Sequence, residues 1–94
     1  LKVVPEAQLV GTAMGYASEY AKTAPVSVAI SKRQLWEGLG SSYIKVKNKE
    51  GRLFAWAGSQ PDAKEGIRSF LEKRAPQWQL SAARGMPEGI REVL

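Results

Sequence analysis

Two carboxylates seven residues apart, Glu65 and Glu72, run directly into a cationic pair, Lys73 and Arg74, and Phe70 stands three positions before the lysine. Paired carboxylates do general acid–base work when both come within hydrogen-bond reach of the same reacting centre. On a helix these two stand two turns apart, about 10 Å by helical rise, too far to serve one carbon. They read as solvated charges on a polar helix face, and Arg74 as a surface or packing residue. The chain has no histidine and no cysteine. That removes the commonest general base, the commonest metal ligand, thiolate sites and disulfides. We assign no catalytic residue and no metal ligand. Read by themselves, Phe70 belongs to an apolar stripe and suits core packing, and Lys73 is a cation in the last helical turn.

Fourteen Lys and Arg against nine Asp and Glu leave a net charge of +5, which favours anionic partners. The densest positive run is Lys45, Lys47, Lys49 and Arg52. It supports an alternative function, a small basic helical module binding nucleic acid, but it lacks aromatic residues interleaved on the same face. At 94 residues, 44% hydrophobic and 24% charged, the chain suits one globular domain or a piece of one. It begins at Leu1 rather than methionine, which we read as a piece cut from a longer polypeptide. No apolar run nears the ~20 residues of a membrane span, and no secretory signal pattern is present.

The elements that hold these residues are helical by periodicity. Residues 1–4 are short and β-branched and read as a strand end. Pro5 suits the first position of a helix, with Glu6 in the dipole-favoured first turn. Leu9, Ala13, Tyr16, Ala17 and Tyr20 then recur at helical spacing until Ala24 and Pro25. Thr23 suits the cap of a second helix, with Val28, Ala29, Leu35, Trp36 and Leu39 on one face. Gly38 and Gly40 close it, and Ser41 and Ser42 offer a cap for the next element.

The stretch YIKVKNKEGRLFAW, residues 43–56, is open between two readings. Ile44 and Val46 alternate with lysines ahead of a turn at 48–51, which makes a hairpin. Helical spacing instead puts Tyr43, Val46, Glu50, Leu53, Phe54 and Ala57 on one face. A last helix follows, with Ser59 and Asp62 as a capping-box-like start. Ala63, Ile67, Phe70 and Leu71 form its apolar stripe, Lys64, Arg68 and Glu72 face away, and Lys73 and Arg74 occupy the final turn. Trp36, Trp56 and Trp78 are large apolar anchors.

Two segments resemble the enoyl-CoA hydratase/isomerase, or crotonase, family. YAKTAPVSVAISKRQLWEGL (residues 20–39) is similar to its late helical pair, where A-x-x-A-P breaks one helix from the next. PDAKEGIRSFLEKRAPQW (residues 61–78) is similar to its closing helix, D-x-x-E-G-x-x-A/S-F-x-E-K-R-x-P-x-W/F. LKVVPEAQL resembles the family's entry from its last core strand. The resemblance implies an all-α fold of about four helices, with residues 43–56 helical rather than a hairpin. Residues 1–78 would be the C-terminal helical (trimerisation) region, and residues 79–94 a loosely ordered tail with a short helix starting near Met86.

The resemblance further implies a cytoplasmic parent enzyme that polarises an acyl-CoA thioester. The two N–H groups of its oxyanion hole and its acidic residues would lie in an N-terminal spiral core, so the fragment alone is expected to be inactive. Whether the parent hydrates or isomerises is set in that half. No cofactor is bound covalently; the CoA thioester is the parent's substrate. The family's phenylalanine of F-x-E-K reaches toward the CoA adenine and the following lysine toward its phosphates, which carries over to Phe70 and Lys73. The implied partners are the spiral core of the same polypeptide, acyl-CoA and further copies. The parent would form trimers or hexamers, and the detached fragment dimers or an exchange of helices between copies.

Overall fold

The computed structural model describes residues 2–84 and 86. They fold into four helices: α1 (Glu6–Ala21), α2 (Pro25–Gly38), α3 (Tyr43–Ser59) and α4 (Pro61–Leu71). No strand occurs among the described residues, so the all-α expectation holds. Residues 2–5 lack regular structure, contrary to the strand reading. A strand needs a neighbour for its backbone hydrogen bonds, and the described residues supply none. The proposed short helix near Met86 lies, apart from Met86 itself, outside the described residues.

Helix starts differ from their sequence signals in informative ways. Thr23 does not cap α2: its hydroxyl donates to Tyr20 O at 2.6 Å and closes α1 instead. Ala24 takes the cap position without a side-chain bond, and Pro25 follows at the first helical position. A proline there has no N–H to satisfy, which lowers the need for a cap. Ser42 does cap α3, its Oγ accepting from Lys45 N at 3.4 Å. Ser59 and Asp62 form no capping box. Ser59 Oγ donates back to Trp56 O, and Gln60 sits at the α4 cap with no side-chain bond.

The core is small. Val26 and Ile30 of α2 meet Leu53 of α3, with Trp56, Leu80 and Met86 packed around them. This contact explains why residues 43–56 are helical. A lone two-stranded hairpin is marginal in water, whereas the helix puts Leu53 and Trp56 one turn apart against α2. The apolar face expected for α2 is the outer one, with Val28, Leu35, Trp36 and Leu39 exposed. α1 buries none of its residues.

α4 is turned inside out relative to its sequence pattern. Its buried residues are Asp62 and Ser69, while Ile67, Phe70 and Leu71 are exposed. The cause is the chain that follows. Residues 75–80 return along the polar face of α4 as a strap: Asp62 Oδ1 accepts from Gln79 N at 2.7 Å and Oδ2 from Leu80 N at 3.3 Å. Glu65 Oε1 accepts from Gln77 N at 2.8 Å. The Trp78 ring lies over Gly66, where a Cβ would stand 3.6 Å from it. The Trp78 indole donates to Lys22 O at 2.9 Å, joining the strap to the end of α1.

Much apolar surface is left over. The accessible surface is 7649 Å², against about 5,400 Å² for a compact monomer of this mass. The radius of gyration is 16.0 Å, against about 12 Å for a globular chain of this length. Asp62→Ala strands two strap N–H groups and should destabilise the chain by about 1–3 kcal/mol in urea unfolding. Asp62→Asn, which still accepts through its amide oxygen, should lose less. Equal stability of Asp62→Ala and wild type would show that the strap is not held this way.

Candidate functional site

The end of α4 gathers the residues that the sequence marked for chemistry. Glu72 N donates to Arg68 O at 2.9 Å, Lys73 N to Phe70 O at 3.3 Å and Arg74 N to Ser69 O at 3.1 Å. This is the Schellman pattern, in which the residue just past the cap adopts a left-handed backbone and is usually glycine. Here that residue is Lys73, at φ 52°, the only non-glycine residue with positive φ among the described residues. A side chain in that conformation costs about 1–2 kcal/mol relative to glycine. Lys73 thus stands one step beyond the last turn in which the sequence placed it.

Arg74 is more than a surface charge. Its Nη1 and Nη2 grip Glu65 Oε1 and Oε2 at 2.6 and 3.0 Å, and its Nε donates to Glu72 Oε2 at 2.5 Å. The hydrogen bonds from Arg74, then the Gln77 N–H, hold the Glu65 carboxyl at about 2, well below the ordinary 4.5. The same two carboxylates push the Arg74 guanidinium above its usual range. Glu65 and Glu72 are therefore partners of one arginine rather than free solvated charges. The planar fork of arginine suits two-point binding of a carboxylate, which a lysine could not reproduce.

With Arg74 committed, Lys73 and Arg68 are the cations left exposed at this helix end, and Lys73 makes no ion pair among the described residues. Phe70 is 81% exposed, so core packing is not its role here. Both candidate binding residues are exposed at the α4 terminus. The clamp and the strap fix their backbone.

The basic run on α3 does not form a comparable site. Lys49 is ion-paired with Glu37, which also accepts from Arg33 Nε at 3.3 Å. Lys49, then Arg33, pulls the Glu37 carboxyl below its usual range. Helical geometry sends Lys47 to the side opposite Lys45 and Arg52, so the run is split between two faces. No cluster of three or more metal-ligating side chains occurs among the described residues, and none of their helices is long and apolar enough to cross a membrane.

A groove of about 560 Å³ opens between α2, α3, α4 and the strap. Its floor is Val26, Ile30, Leu53 and Trp56, and Phe54 and Ile67 stand at its mouth.

Residues 1–81 match the family model described as enoyl-CoA hydratase/isomerase. The chain belongs to the enoyl-CoA hydratase/isomerase family. It is 36% identical over 73 residues to a protein of Bacillus subtilis (strain 168) named "Probable enoyl-CoA hydratase", covering 78% of this chain and 28% of that one. It is 34% identical over 81 residues to "Probable enoyl-CoA hydratase, mitochondrial" of Dictyostelium discoideum, covering 82% of this chain and 28% of the relative. Its fold matches the crystal structure of a probable enoyl-CoA hydratase/isomerase from Mycobacterium abscessus. The TM-score is 0.74 at 33% identity, over 83% of this chain and 31% of that one. The chain thus spans less than a third of these enoyl-CoA hydratase/isomerase relatives.

The strap anchors Asp62 and Trp78 and the Glu65–Arg74 clamp were not legible as a unit. The available signal was Pro76, which stops the helix and lets the chain turn back. Two outcomes test the geometry. The stabilisation from Glu65 is whole above about 4.5, fades as pH falls, and is lost on passing about 2, because the unfolded carboxyl takes its proton first. The Trp78 indole N–H resonance should report strap loosening across that window, and Glu65→Gln should remove that part of the transition. Separately, Lys73→Gly should raise unfolding stability by about 1 kcal/mol by relieving the left-handed backbone. A loss of stability would mean that the lysine side chain is structural.

Proposed function

We propose that this chain is the C-terminal helical, subunit-packing and CoA-site-completing region of a cytoplasmic enoyl-CoA hydratase/isomerase. The observation that carries the reading is Lys73: an exposed cation held in a costly backbone conformation, beside an exposed Phe70, at a helix end immobilised by the Arg74 clamp. Backbone strain of this kind persists where the surroundings over-determine it, and functional sites are where it concentrates.

In the complete enzyme, the thioester carbonyl is polarised by donors aimed at its developing oxyanion. Those donors, and the carboxylates that move protons or water, belong on this reading to the rest of the polypeptide. The present chain works at the other end of the substrate. Phe70 offers a flat apolar face to the adenine, and the Lys73 ammonium meets the nucleotide phosphates. Binding energy collected there, remote from the reacting carbons, helps hold the thioester in register for the chemistry.

The purified 94-residue chain should not turn over crotonyl-CoA, and measurable hydration would overturn the reading. In the complete polypeptide, Lys73→Ala should raise KM for acyl-CoA about tenfold with little change in kcat, the signature of a binding contact uniform through the reaction. Phe70→Ala should act in the same direction. Unchanged KM in both variants would remove these residues from the CoA site.

A further inference from the structure

Lys73 sits between two residues that are tied to each other. Arg74 Nε donates to Glu72 Oε2 at 2.5 Å, so an ion pair bridges directly across the lysine. From the same guanidinium, Nη1 and Nη2 reach Glu65 Oε1 and Oε2 at 2.6 and 3.0 Å. Nη1 also donates to Ala75 O at 3.1 Å, and the Arg74 backbone N–H closes onto Ser69 O at 3.1 Å. Glu65 in turn takes the Gln77 N–H, which ties the clamp to the returning strap.

An exposed ion pair contributes little to a fold, but this one is two-pronged and the Glu65 side chain is only 13% exposed. Its bonds fall on both sides of the one non-glycine residue with positive φ among the described residues. Strained backbone persists where its surroundings over-determine it, and here Arg74 supplies most of those surroundings. The consequence is directional. In a right-handed helix every Cα–Cβ bond tilts toward the N-terminus. At φ 52° Lys73 leaves that alignment, so its side chain starts off the rows of α4. Without the clamp, nothing but two backbone hydrogen bonds opposes a return to the ordinary right-handed conformation.

We propose that Arg74 and Glu65 are positioning residues for Lys73: their two-point ion pair holds the left-handed turn that aims the Lys73 ammonium at the nucleotide phosphates of acyl-CoA. The inference rests on the CoA-site reading above and adds to it that the clamp, and not the charge of the lysine alone, sets the affinity of the nucleotide end. Neither Arg74 nor Glu65 touches the substrate. They act by removing backbone freedom that binding would otherwise have to order.

Steady-state kinetics on the complete polypeptide tests it with two substrates, crotonyl-CoA and crotonyl-pantetheine, which carries the same thioester without the nucleotide. Arg74→Lys keeps the charge but cannot reproduce the two-point grip. It should raise KM for crotonyl-CoA about fivefold with kcat unchanged, and leave both constants for crotonyl-pantetheine as they are. Glu65→Gln, which keeps an acceptor oxygen, should act in the same direction more weakly, and it carries the comparison if circular dichroism shows Arg74→Lys unfolded. In a Lys73→Ala background neither clamp substitution should raise KM further, because the residue it positions is gone. An unchanged KM for crotonyl-CoA in the clamp variants, beside a raised KM in Lys73→Ala, would overturn the inference and leave the CoA-site reading standing. Equal losses on both substrates in a folded clamp variant, or effects that add to Lys73→Ala, would make the clamp merely structural and overturn it as well. An unchanged KM in Lys73→Ala would remove the reading and the inference together.

Discussion

The Asp62 carboxylate sits in the first turn of α4, 7% exposed, and accepts the backbone N–H groups of Gln79 and Leu80. That contact decides which way α4 faces. A buried carboxylate needs hydrogen-bond donors, and the returning chain supplies two of them from its own backbone. With Trp78 laid over Gly66 and Glu65 taking the Gln77 N–H, the polar side of α4 becomes its inner side. Ile67, Phe70 and Leu71 are then left facing outward. The exposed stripe thus follows from the strap, and the open position of Phe70 follows from the stripe.

The same arrangement explains the division of labour at the helix end. Arg74 is spent on Glu65 and Glu72, which ties the α4 terminus to the strap and removes three charges from play. Lys73 next to it is left exposed on a backbone held by the Schellman bonds. On the proposed function, a flexible ammonium on a rigid base suits a phosphate whose position is set elsewhere, since little backbone ordering remains to oppose binding. The small core carries a similar message. Three fully buried apolar side chains hold α2 and α3 together, while whole faces of α1 and α4 stay open.

The helices themselves were legible because their punctuation is local. Pro25 and Pro61 begin helices where they stand, Ser42 caps α3, and the order of four helices follows. Residues 43–56 were not decided by local pattern, since period two and period 3.6 both fit; the family resemblance selected the helix. Facing was not legible. Periodicity says which residues share a side, but not which side a distant segment covers, and on both α2 and α4 the more apolar face proved to be the outer one. Asp62 and Ser59 looked like a local cap because the true partners of Asp62 lie 17 and 18 residues later. Thr23 misled in a similar way, its hydroxyl bonding backward rather than forward. Phe70 and Lys73 were singled out from the family pattern, whereas the left-handed backbone of Lys73 has no signal in a sequence that lacks glycine there.

Amide hydrogen exchange at Gln79 and Leu80 in the isolated chain tests the central claim most directly, because those two N–H groups face Asp62 only if the strap turns α4 outward. The account predicts that both exchange far more slowly than an unstructured peptide, and that Asp62→Ala abolishes this protection. Free exchange at both positions in the folded wild-type chain would contradict it. The apolar stripe of α4 would then have no reason to face outward.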